Sequence, residues 1–240
     1  MIRLRARASA GQVRAVVFDF DGVLANSEPL HFRAFRDILV AEGLTLTENA
    51  YYSRYLGYDD VGAFRAIAAD QGRHIDDAEV IAWVARKAVR LEELERGVSV
   101  LFPGAREAIA RMARSGPVAI ASGALRDEIM RVLEREQLTA LFSAVVAAGD
   151  TPASKPDPAP YTKAVELLRQ RTGDSIRASE CVAIEDSHWG LVSAKGAGLR
   201  TVGITHSYAA VDLHEAELVI DHLDELTPEL LQHFRSSASL

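Results

Sequence analysis

The sequence predicts an α/β fold, a doubly wound parallel sheet with an all-helical insert after its first strand. Six short apolar runs recur along the chain, and amphipathic segments lie among the later ones. The first and second runs are separated by about 100 residues that show helical periodicity and no strand signal. Strands covered by helices on both faces read as continuous apolar runs, so these observations favour one parallel sheet interrupted by a helical domain.

Each apolar run is short enough for a strand that is buried on both faces. The predicted strands are residues 15–18, 118–121, 144–147, 182–184, 201–204 and 218–220. Amphipathic periodicity predicts crossover helices over residues 105–114, 126–137, 161–171 and 191–197. Strands that alternate with helices in this way are joined by right-handed crossovers, which gives a parallel sheet.

The helical insert begins soon after the first strand. Apolar residues at helical spacing predict three helices in it, over residues 29–43, 61–71 and 77–96. The chain is therefore predicted to have two domains: an α/β core of residues 1–25 and 98–240, and a helical-bundle cap of residues 26–97. Residues 1–12 and the serine-rich end, 236–240, are expected to be loosely held.

Composition excludes several classes of partner. The 240 residues include 27 Lys and Arg against 34 Asp and Glu, which gives a formal net charge of −7. Binding to nucleic acid or to an anionic membrane requires a basic field, so we expect neither. The chain has one cysteine, Cys181, which begins an apolar run and is predicted to be a buried thiol. We find no secretory signal and no apolar run of about 18 residues, so a cytoplasmic location is expected.

Acidic side chains follow two of the predicted strands. Asp19 and Asp21 come after the first strand, and Glu185 and Asp186 come after the fourth. Ligands of open parallel sheets bind at the carboxyl ends of the strands, where these acids would form a cage of hard oxygen ligands suited to Mg²⁺. The alternatives are a strand-end turn with two solvated acids at the first site, and a helix cap with Ser187 at the second.

Groups that can hold an anion follow two further strands. Ser122, Gly123 and Ala124 place a hydroxyl and backbone N–H groups before a predicted helix, which is a suitable seat for phosphate. A simple helix N-cap is the alternative for Ser122. Lys155 lies in a stiff turn with two prolines, where it could neutralise phosphate and offset repulsion among the carboxylates.

In this order, the four motifs resemble the haloacid dehalogenase superfamily: Asp19-x-Asp21-Gly-Val, Ser122, Lys155-Pro-x-Pro and Glu185-Asp186-Ser-x-x-Gly. The resemblance covers about residues 14–225 and implies a Rossmann-like core. The insert resembles the cap of the subclass that contains phosphoglycolate phosphatase-like enzymes, sugar-phosphate phosphatases and β-phosphoglucomutase. The motifs are specific only in combination, and their order at successive strand ends carries the assignment.

The resemblance implies phosphoryl transfer through an aspartyl phosphate. Asp19 would attack phosphorus as the nucleophile, and Asp21 would protonate the leaving oxygen and then deprotonate water. Ser122 and the N–H groups that follow it, at Gly123 and Ala124, would hold the phosphoryl oxygens. Lys155 would neutralise charge on the nucleophile and the phosphate.

The resemblance also implies a Mg²⁺ site, whose ligands would be Asp19, the backbone carbonyl of Asp21, Asp186 and, directly or through a second partner, Glu185. Halide-displacing members need no Mg²⁺ and typically lack the second aspartate. Asp21 therefore counts against dehalogenation. The expected function is Mg²⁺-dependent hydrolysis of a small phosphate monoester, such as a sugar phosphate or phosphoglycolate.

Cap residues bear on the choice of substrate. His31 resembles a histidine in that position in β-phosphoglucomutase and its phosphatase relatives, and an exposed helix residue is the alternative. Asp59 and Asp60 follow Gly57 in a turn that resembles the specificity loop of these caps, and a carboxylate there would repel a second phosphate. A phosphatase is therefore favoured over a β-phosphoglucomutase-like mutase. If both aspartates only cap the next helix, that preference weakens.

A third possibility is a non-catalytic phosphate-binding protein, which would keep the fold and lack a core residue. All of the core residues quoted above are present, which counts against this class. The expected partner is a small phosphate ester, with no nucleic acid and no membrane. A cap that opens and closes favours a monomer or a loose dimer.

Overall fold

The computed structural model describes residues 13–56, 58–173 and 175–232. It divides the chain into two compact units, which meet in sequence between residues 26 and 27 and between residues 100 and 101. The predicted boundaries differ from these by one and three residues. The assignment of the units as catalytic core and cap stays a prediction. The predicted loose segments, 1–12 and 236–240, and Gly57 of the specificity loop lie outside the described residues.

A six-stranded parallel sheet forms the first unit, with the strand order β3-β2-β1-β4-β5-β6. The strands are β1 (Ala15–Phe18), β2 (Val118–Ala121), β3 (Phe142–Val146), β4 (Cys181–Glu185), β5 (Arg200–Ile204) and β6 (Leu218–Ile220). The α/β prediction is confirmed. The prediction for the third strand was displaced, because Ser143 interrupts the apolar run while backbone pairing with β2 still reaches Phe142.

Helices connect the strands and form the second unit. They are α1 (Glu28–Ala41), α2 (Glu48–Ala50), α3 (Asp60–Asp70), α4 (Asp77–Glu95), α5 (Ala105–Ser115), α6 (Arg126–Arg135), α7 (Ala159–Thr172), α8 (His188–Gly196) and α9 (Pro228–Gln232). A π-helical turn, Tyr51–Tyr55, follows α2. Among the helices in the described part of the chain, none has the length and apolar character needed to cross a membrane.

One layer of the first unit shows why the sheet forms. Small residues of the central strands, such as Val17 and Ala183, pack against α7, where Leu168 is fully buried. Cys181 is buried in the same layer, as predicted, and burial raises the pKa of its thiol to about 12. On α5, Arg111 donates hydrogen bonds to the carbonyl oxygens of Leu223 and Leu226, which ties the segment that follows β6 to this helix.

The second unit has its own aromatic core. The ring of Phe64 on α3 lies 4.8 Å from that of Phe35 on α1 and 5.5 Å from that of Trp83 on α4, measured between centroids. Both contacts are edge-on, the geometry that favours aromatic pairs beyond their buried area. Asp76 and Glu79 begin α4 with a reciprocal capping box. Residues 27–100 therefore have the packed interior of a helical bundle.

Candidate active site

The two acidic motifs meet because β1 and β4 are neighbours in the sheet. Phe18 pairs with Ile184, and the N–H of Asp19 donates to the carbonyl of Ile184 at 2.9 Å. One carboxylate oxygen from each of Asp19, Glu185 and Asp186 lies within 4.8 Å of the other two. The strand-end placement inferred from sequence therefore corresponds to one compact group of three acids.

All three carboxylates are buried, and one lysine lies among them. Asp19, Glu185 and Asp186 are 8%, 0% and 6% exposed. The Nζ atom of Lys155 lies 2.7 Å from Oδ1 of Asp19 and 2.5 Å from Oε1 of Glu185. When all four groups are ionised, two negative charges remain unbalanced. A buried excess of charge is costly unless a cation or a proton compensates for it.

The pKa values of these groups reflect that excess. Burial raises the pKa of Asp19 to about 6, with Lys155 opposing the shift and Glu185 adding to it. Burial, Asp19 and Glu185 together raise the pKa of Asp186 to about 8. For Lys155, burial alone would lower the pKa, but Asp19 and Glu185 outweigh it and raise the pKa above its usual value. The donor set consists of hard carboxylate oxygens, so these residues fit a divalent cation.

Glu185 is the most heavily engaged of the three acids. Its Oε1 accepts from Lys155 and, at 2.8 Å, from the hydroxyl of Tyr161, while its Oε2 accepts from the hydroxyl of Ser187 at 3.1 Å. A Cβ atom at position 190 would overlap this carboxylate, so glycine is required there. Ser187 also caps α8, where its Oγ accepts from the N–H of Gly190. The capping alternative for Ser187 is confirmed and coexists with the acid cluster.

Sequence reasoning missed Tyr161 as a site residue. This tyrosine is fully buried in α7, at the first position of the predicted helix. A buried tyrosine needs a hydrogen-bond partner for its hydroxyl, and that need was the available signal. Burial and Glu185 raise its pKa well above the usual range, so the hydroxyl stays protonated and donates to the carboxylate.

Asp21 does not join the group of three carboxylates. The strand ends at Phe18, and the following residues form a turn in which the N–H of Gly22 donates to the carbonyl of Ala25 at 2.9 Å. Gly22 has a φ of +76°, and a Cβ atom at this position would overlap the carboxylate of Asp186. Close approach between this turn and Asp186 therefore depends on glycine.

Ser122 ends up in a turn and does not cap a helix. Its Oγ accepts from the N–H of Ala124 at 3.1 Å, and its own N–H donates to the carbonyl of Val146. The N-cap of α6 is Leu125, so the capping alternative for Ser122 was wrong. The turn follows β2, which is the other neighbour of β1, and Gly123 within it is exposed.

Two polar residues that follow β5 contact the turn after β1 and the acidic group. Nδ1 of His206 carries its proton toward the carbonyl of Gly22 at 2.9 Å, and the ring stacks on Phe102 with centroids 3.8 Å apart. The hydroxyl of Ser207 donates to Asp186. Sequence reasoning missed both residues, although their position directly after a predicted strand was a usable signal.

In the second unit, the predicted substrate residues His31 and Asp59 each contact other residues of the same unit. Nδ1 of His31 lies 2.9 Å from Nζ of Lys87, which is 1% exposed. Both carboxylate oxygens of Asp60 accept from Lys87, at 2.8 and 2.9 Å. Asp59 caps α3 by accepting from the N–H of Gly62 at 2.7 Å. The capping alternative is confirmed for Asp59 and wrong for Asp60.

Lys87 was also not identified from the sequence. It lies on the buried stripe of α4, with Val80, Trp83 and Leu91. A lysine at a position where helical spacing requires an apolar residue indicates a buried ion pair, because an ammonium group is almost never buried unpaired.

Comparison with known proteins identifies the family of this chain. Residues 13–198 match the haloacid dehalogenase-like hydrolase family. The chain belongs to that family and is an enzyme of the hydrolase class. It is 30% identical to a phosphoglycolate phosphatase of Mesorhizobium japonicum, over 93% of this chain and 97% of the relative. It is also 30% identical to hexitol phosphatase B of Escherichia coli K12, over 90% and 95%.

Solved structures support the fold. CbbY from Rhodobacter sphaeroides, solved in complex with phosphate, superposes with a TM-score of 0.76 and 24% identity. The match covers 90% of this chain and 96% of that one. The resemblance read from the four motifs is thereby confirmed at the level of family and fold.

Proposed function

We propose that this protein is a Mg²⁺-dependent phosphatase that hydrolyses a small phosphate monoester through an aspartyl-phosphate intermediate. One observation carries the proposal: a buried Asp19 carboxylate is ion-paired to Lys155 beside two further buried acids. The names of the two relatives, phosphoglycolate phosphatase and hexitol phosphatase B, support a phosphate ester of a small polar molecule as the substrate.

Asp19 is the proposed nucleophile. One of its carboxylate oxygens forms a bond to phosphorus while the bond from phosphorus to the alkoxide oxygen breaks. Asp21 donates a proton to the departing alkoxide and then accepts a proton from a water molecule. The oxygen of that water forms a bond to phosphorus while the bond from phosphorus to the Asp19 oxygen breaks. The products are the alcohol and inorganic phosphate, and both aspartates return to their starting protonation states.

Lys155 and the Ser122 turn are proposed to hold the phosphoryl group. Lys155 already contacts the Asp19 carboxylate, so it favours the ionised form that the attack requires. The N–H of Ala124 donates to Oγ of Ser122, which leaves the hydroxyl proton of Ser122 directed elsewhere, toward an acceptor such as a phosphoryl oxygen. The exposed Gly123 would add its backbone N–H.

Asp19, the backbone carbonyl of Asp21 and Asp186 are the proposed Mg²⁺ ligands. When bound, the ion would supply positive charge to the phosphoryl oxygens. Both oxygens of Glu185 already accept hydrogen bonds, so we propose that Glu185 anchors Lys155 and stays outside the direct ligand set. Its negative charge still contributes to the attraction for a cation.

Measurement of phosphate release tests this function. A panel of phosphoglycolate, sugar phosphates, hexitol phosphates and nucleotides is incubated with the enzyme in Mg²⁺ or in a chelator. We expect stoichiometric release of phosphate from at least one ester, with loss of release in the chelator. The Asp19→Asn variant, purified in parallel, controls for contaminating phosphatases. An absence of Mg²⁺-dependent hydrolysis over the whole panel would contradict the proposal and favour a binding protein.

A sugar-phosphate mutase is a second candidate, because the two aspartates that counted against it are engaged in other contacts. The charge of Asp59 is engaged in capping α3, and Lys87 neutralises Asp60, so neither counts strongly against a second phosphate. A mutase primed with a trace of bisphosphate would convert β-glucose 1-phosphate into the 6-phosphate and release little inorganic phosphate. A phosphatase would release phosphate in equal amount to the substrate consumed.

Substrate choice by residues 27–100 belongs to the same proposal. We propose that this unit acts as the cap, with His31 near the substrate and Asp59 in the specificity loop. Exchange of His31 for alanine should then change KM among esters more than kcat. A cytoplasmic location and a monomer or loose dimer stay predictions from sequence, and sedimentation of the purified protein would decide the second.

A further inference from the structure

A second cluster of metal-ligating side chains lies apart from the three carboxylates. It is formed by His188, which begins α8, and by His214 and Glu215, which follow the 3₁₀ turn Ala210–Leu213. One ligand atom from each of the three residues lies within 4.8 Å of the other two. None of the steps proposed above uses any of these residues.

His188 has a buried ring nitrogen in need of a partner. Its Nδ1 is inaccessible to solvent and has no hydrogen-bond partner among the described residues. An unsatisfied buried polar atom costs about 1–3 kcal/mol, so such atoms point to a missing ligand or to a functional role. The ring lies 5.7 Å from that of His214, measured between centroids, with an interplanar angle of 30°.

Neighbouring contacts hold the other two ligands close to His188. Oε2 of Glu215 accepts from Nζ of Lys195 on α8 at 2.7 Å, which fixes the carboxylate against that helix. The other oxygen, Oε1, lies 3.8 Å from Nε2 of His214. Leu213, which precedes the pair, is fully buried and anchors the segment in the first unit. The fold therefore brings the three residues together.

Donor chemistry distinguishes this cluster from the carboxylate site. Two imidazoles and one carboxylate suit zinc and its neighbours in the first transition series, whereas Mg²⁺ takes oxygen ligands. We propose that His188, His214 and Glu215 form a second metal site, which binds a transition-metal ion of the Zn²⁺ class and leaves one position open to water. Zinc holds its ligands at about 2.0–2.2 Å, which places them closer together than the 3.8 Å between Oε1 of Glu215 and Nε2 of His214. The side chain of His214 is exposed and can move to close that gap.

Cobalt is a suitable probe, because Co²⁺ accepts the same ligands as Zn²⁺ and its visible absorption reports its coordination. The full-length protein, free of any affinity tag, is titrated with CoCl₂ in a saturating concentration of Mg²⁺. We expect one Co²⁺ site per chain. His214→Ala should weaken it at least about tenfold, because even supporting residues of metal sites contribute that much affinity. His222→Ala, which removes an exposed histidine outside the cluster, is the matched control and should leave the affinity unchanged.

Trp189 provides an independent readout, because its ring lies 5.3 Å from that of His188. Co²⁺ bound at the cluster should quench the fluorescence of Trp189 in the wild type and in His222→Ala, and not in His214→Ala at the same concentration. Asp186→Asn separates the two metal sites: the proposal requires that this variant keep both the absorption and the quenching. Loss of the Co²⁺ signals in Asp186→Asn, or their retention in His214→Ala at unchanged affinity, would overturn the proposal. Equal weakening in His222→Ala would show scattered surface binding and would also overturn it.

Discussion

Each of the two units of this protein holds an ion-paired lysine, and the surroundings of the two lysines differ. Lys87, in residues 27–100, is 1% exposed and is held by both oxygens of Asp60. Lys155, in the other unit, is shared between Asp19 and Glu185. Asp186 lies beside that pair as a further buried acid.

The two lysines differ in the balance of charge in their surroundings. In the helical unit, one ammonium meets one carboxylate, so the pair is complete and helps to fix how α1, α3 and α4 pack. At the sheet edge, three carboxylates surround one ammonium, and the remaining negative charge attracts a cation. A buried ion pair alone is weak support for a functional role, whereas unbalanced buried acids with raised pKa values are typical of a functional site.

The largest effect is expected at the unbalanced site. Asp19→Asn removes the proposed nucleophile, so steady-state turnover of the best ester should be abolished, because an amide oxygen cannot form the acyl phosphate. Phosphate release at saturating substrate and Mg²⁺ measures this. Asp127→Asn, an exposed aspartate of α6, is the matched control and should keep full activity. Retention of more than roughly a tenth of the rate, a barrier change under about 1.4 kcal/mol, would rule out the covalent route.

Replacement of Lys155 tests whether the excess charge matters for stability. Lys155→Met leaves three buried carboxylates without their cation, so the free energy of unfolding should fall by about 3–5 kcal/mol. Mg²⁺ should restore part of the loss, because it supplies positive charge to the same oxygens. Urea unfolding with and without Mg²⁺ measures both effects. Lys163→Met, at a partly exposed position of α7, should change little. A loss equal to that of the control would contradict the comparison.

The balanced pair should respond differently. Asp60→Asn leaves the buried ammonium of Lys87 without a counter-charge, and we expect a loss of about 3 kcal/mol in unfolding free energy. Mg²⁺ should not restore it, since a cation cannot compensate for an unpaired positive charge. Asp59→Asn is a close control, because asparagine caps helices about as well as aspartate. Rescue of Asp60→Asn by Mg²⁺ would show that the two lysine sites are not distinct in the way proposed.

A smaller effect is expected at Tyr161. Tyr161→Phe removes one hydrogen bond to Glu185 and leaves Lys155 in contact with the same oxygen. Loss of a hydrogen bond to a charged group should lower the unfolding free energy by about 1.5–3 kcal/mol. Tyr208→Phe, at an exposed position after β5, serves as the control in the same urea titration. If Tyr161→Phe proves as stable as the wild type, the hydrogen bond from Tyr161 adds nothing to the contacts that Lys155 and Ser187 make with Glu185.

Features that depend on residues close together in the sequence were predicted better than features that depend on contacts between distant residues. The bounds of β1, β2 and β6 follow from uninterrupted apolar runs and agree with the prediction. The start of α8 was placed three residues late, because Ser187 begins the helix before its apolar face does. The π-helical turn Tyr51–Tyr55 was not predicted, since its residues show no regular apolar spacing.

In the candidate site, too, residues that follow a local pattern were predicted, and contacts between distant residues were not. Asp19 and Asp186 could be placed together from sequence, because parallel strands end at one edge of the sheet. Lys155 was identified by its stiff turn and was expected to neutralise charge on Asp19, whereas its direct contact with Glu185 could not be specified. Tyr161 and Lys87 were missed for a related reason: each occupies a buried position of a helix, and the polar partner that explains it lies far away in the chain.

Cys181 has a practical consequence. It is the sole thiol of the chain, fully enclosed beneath α7, and its raised pKa keeps it protonated and unreactive near neutral pH. A maleimide or nitroxide reagent therefore finds no natural target in the folded protein. A single cysteine introduced at an exposed position of either unit can carry a spectroscopic label on the otherwise unaltered sequence, and reaction at Cys181 itself would report unfolding.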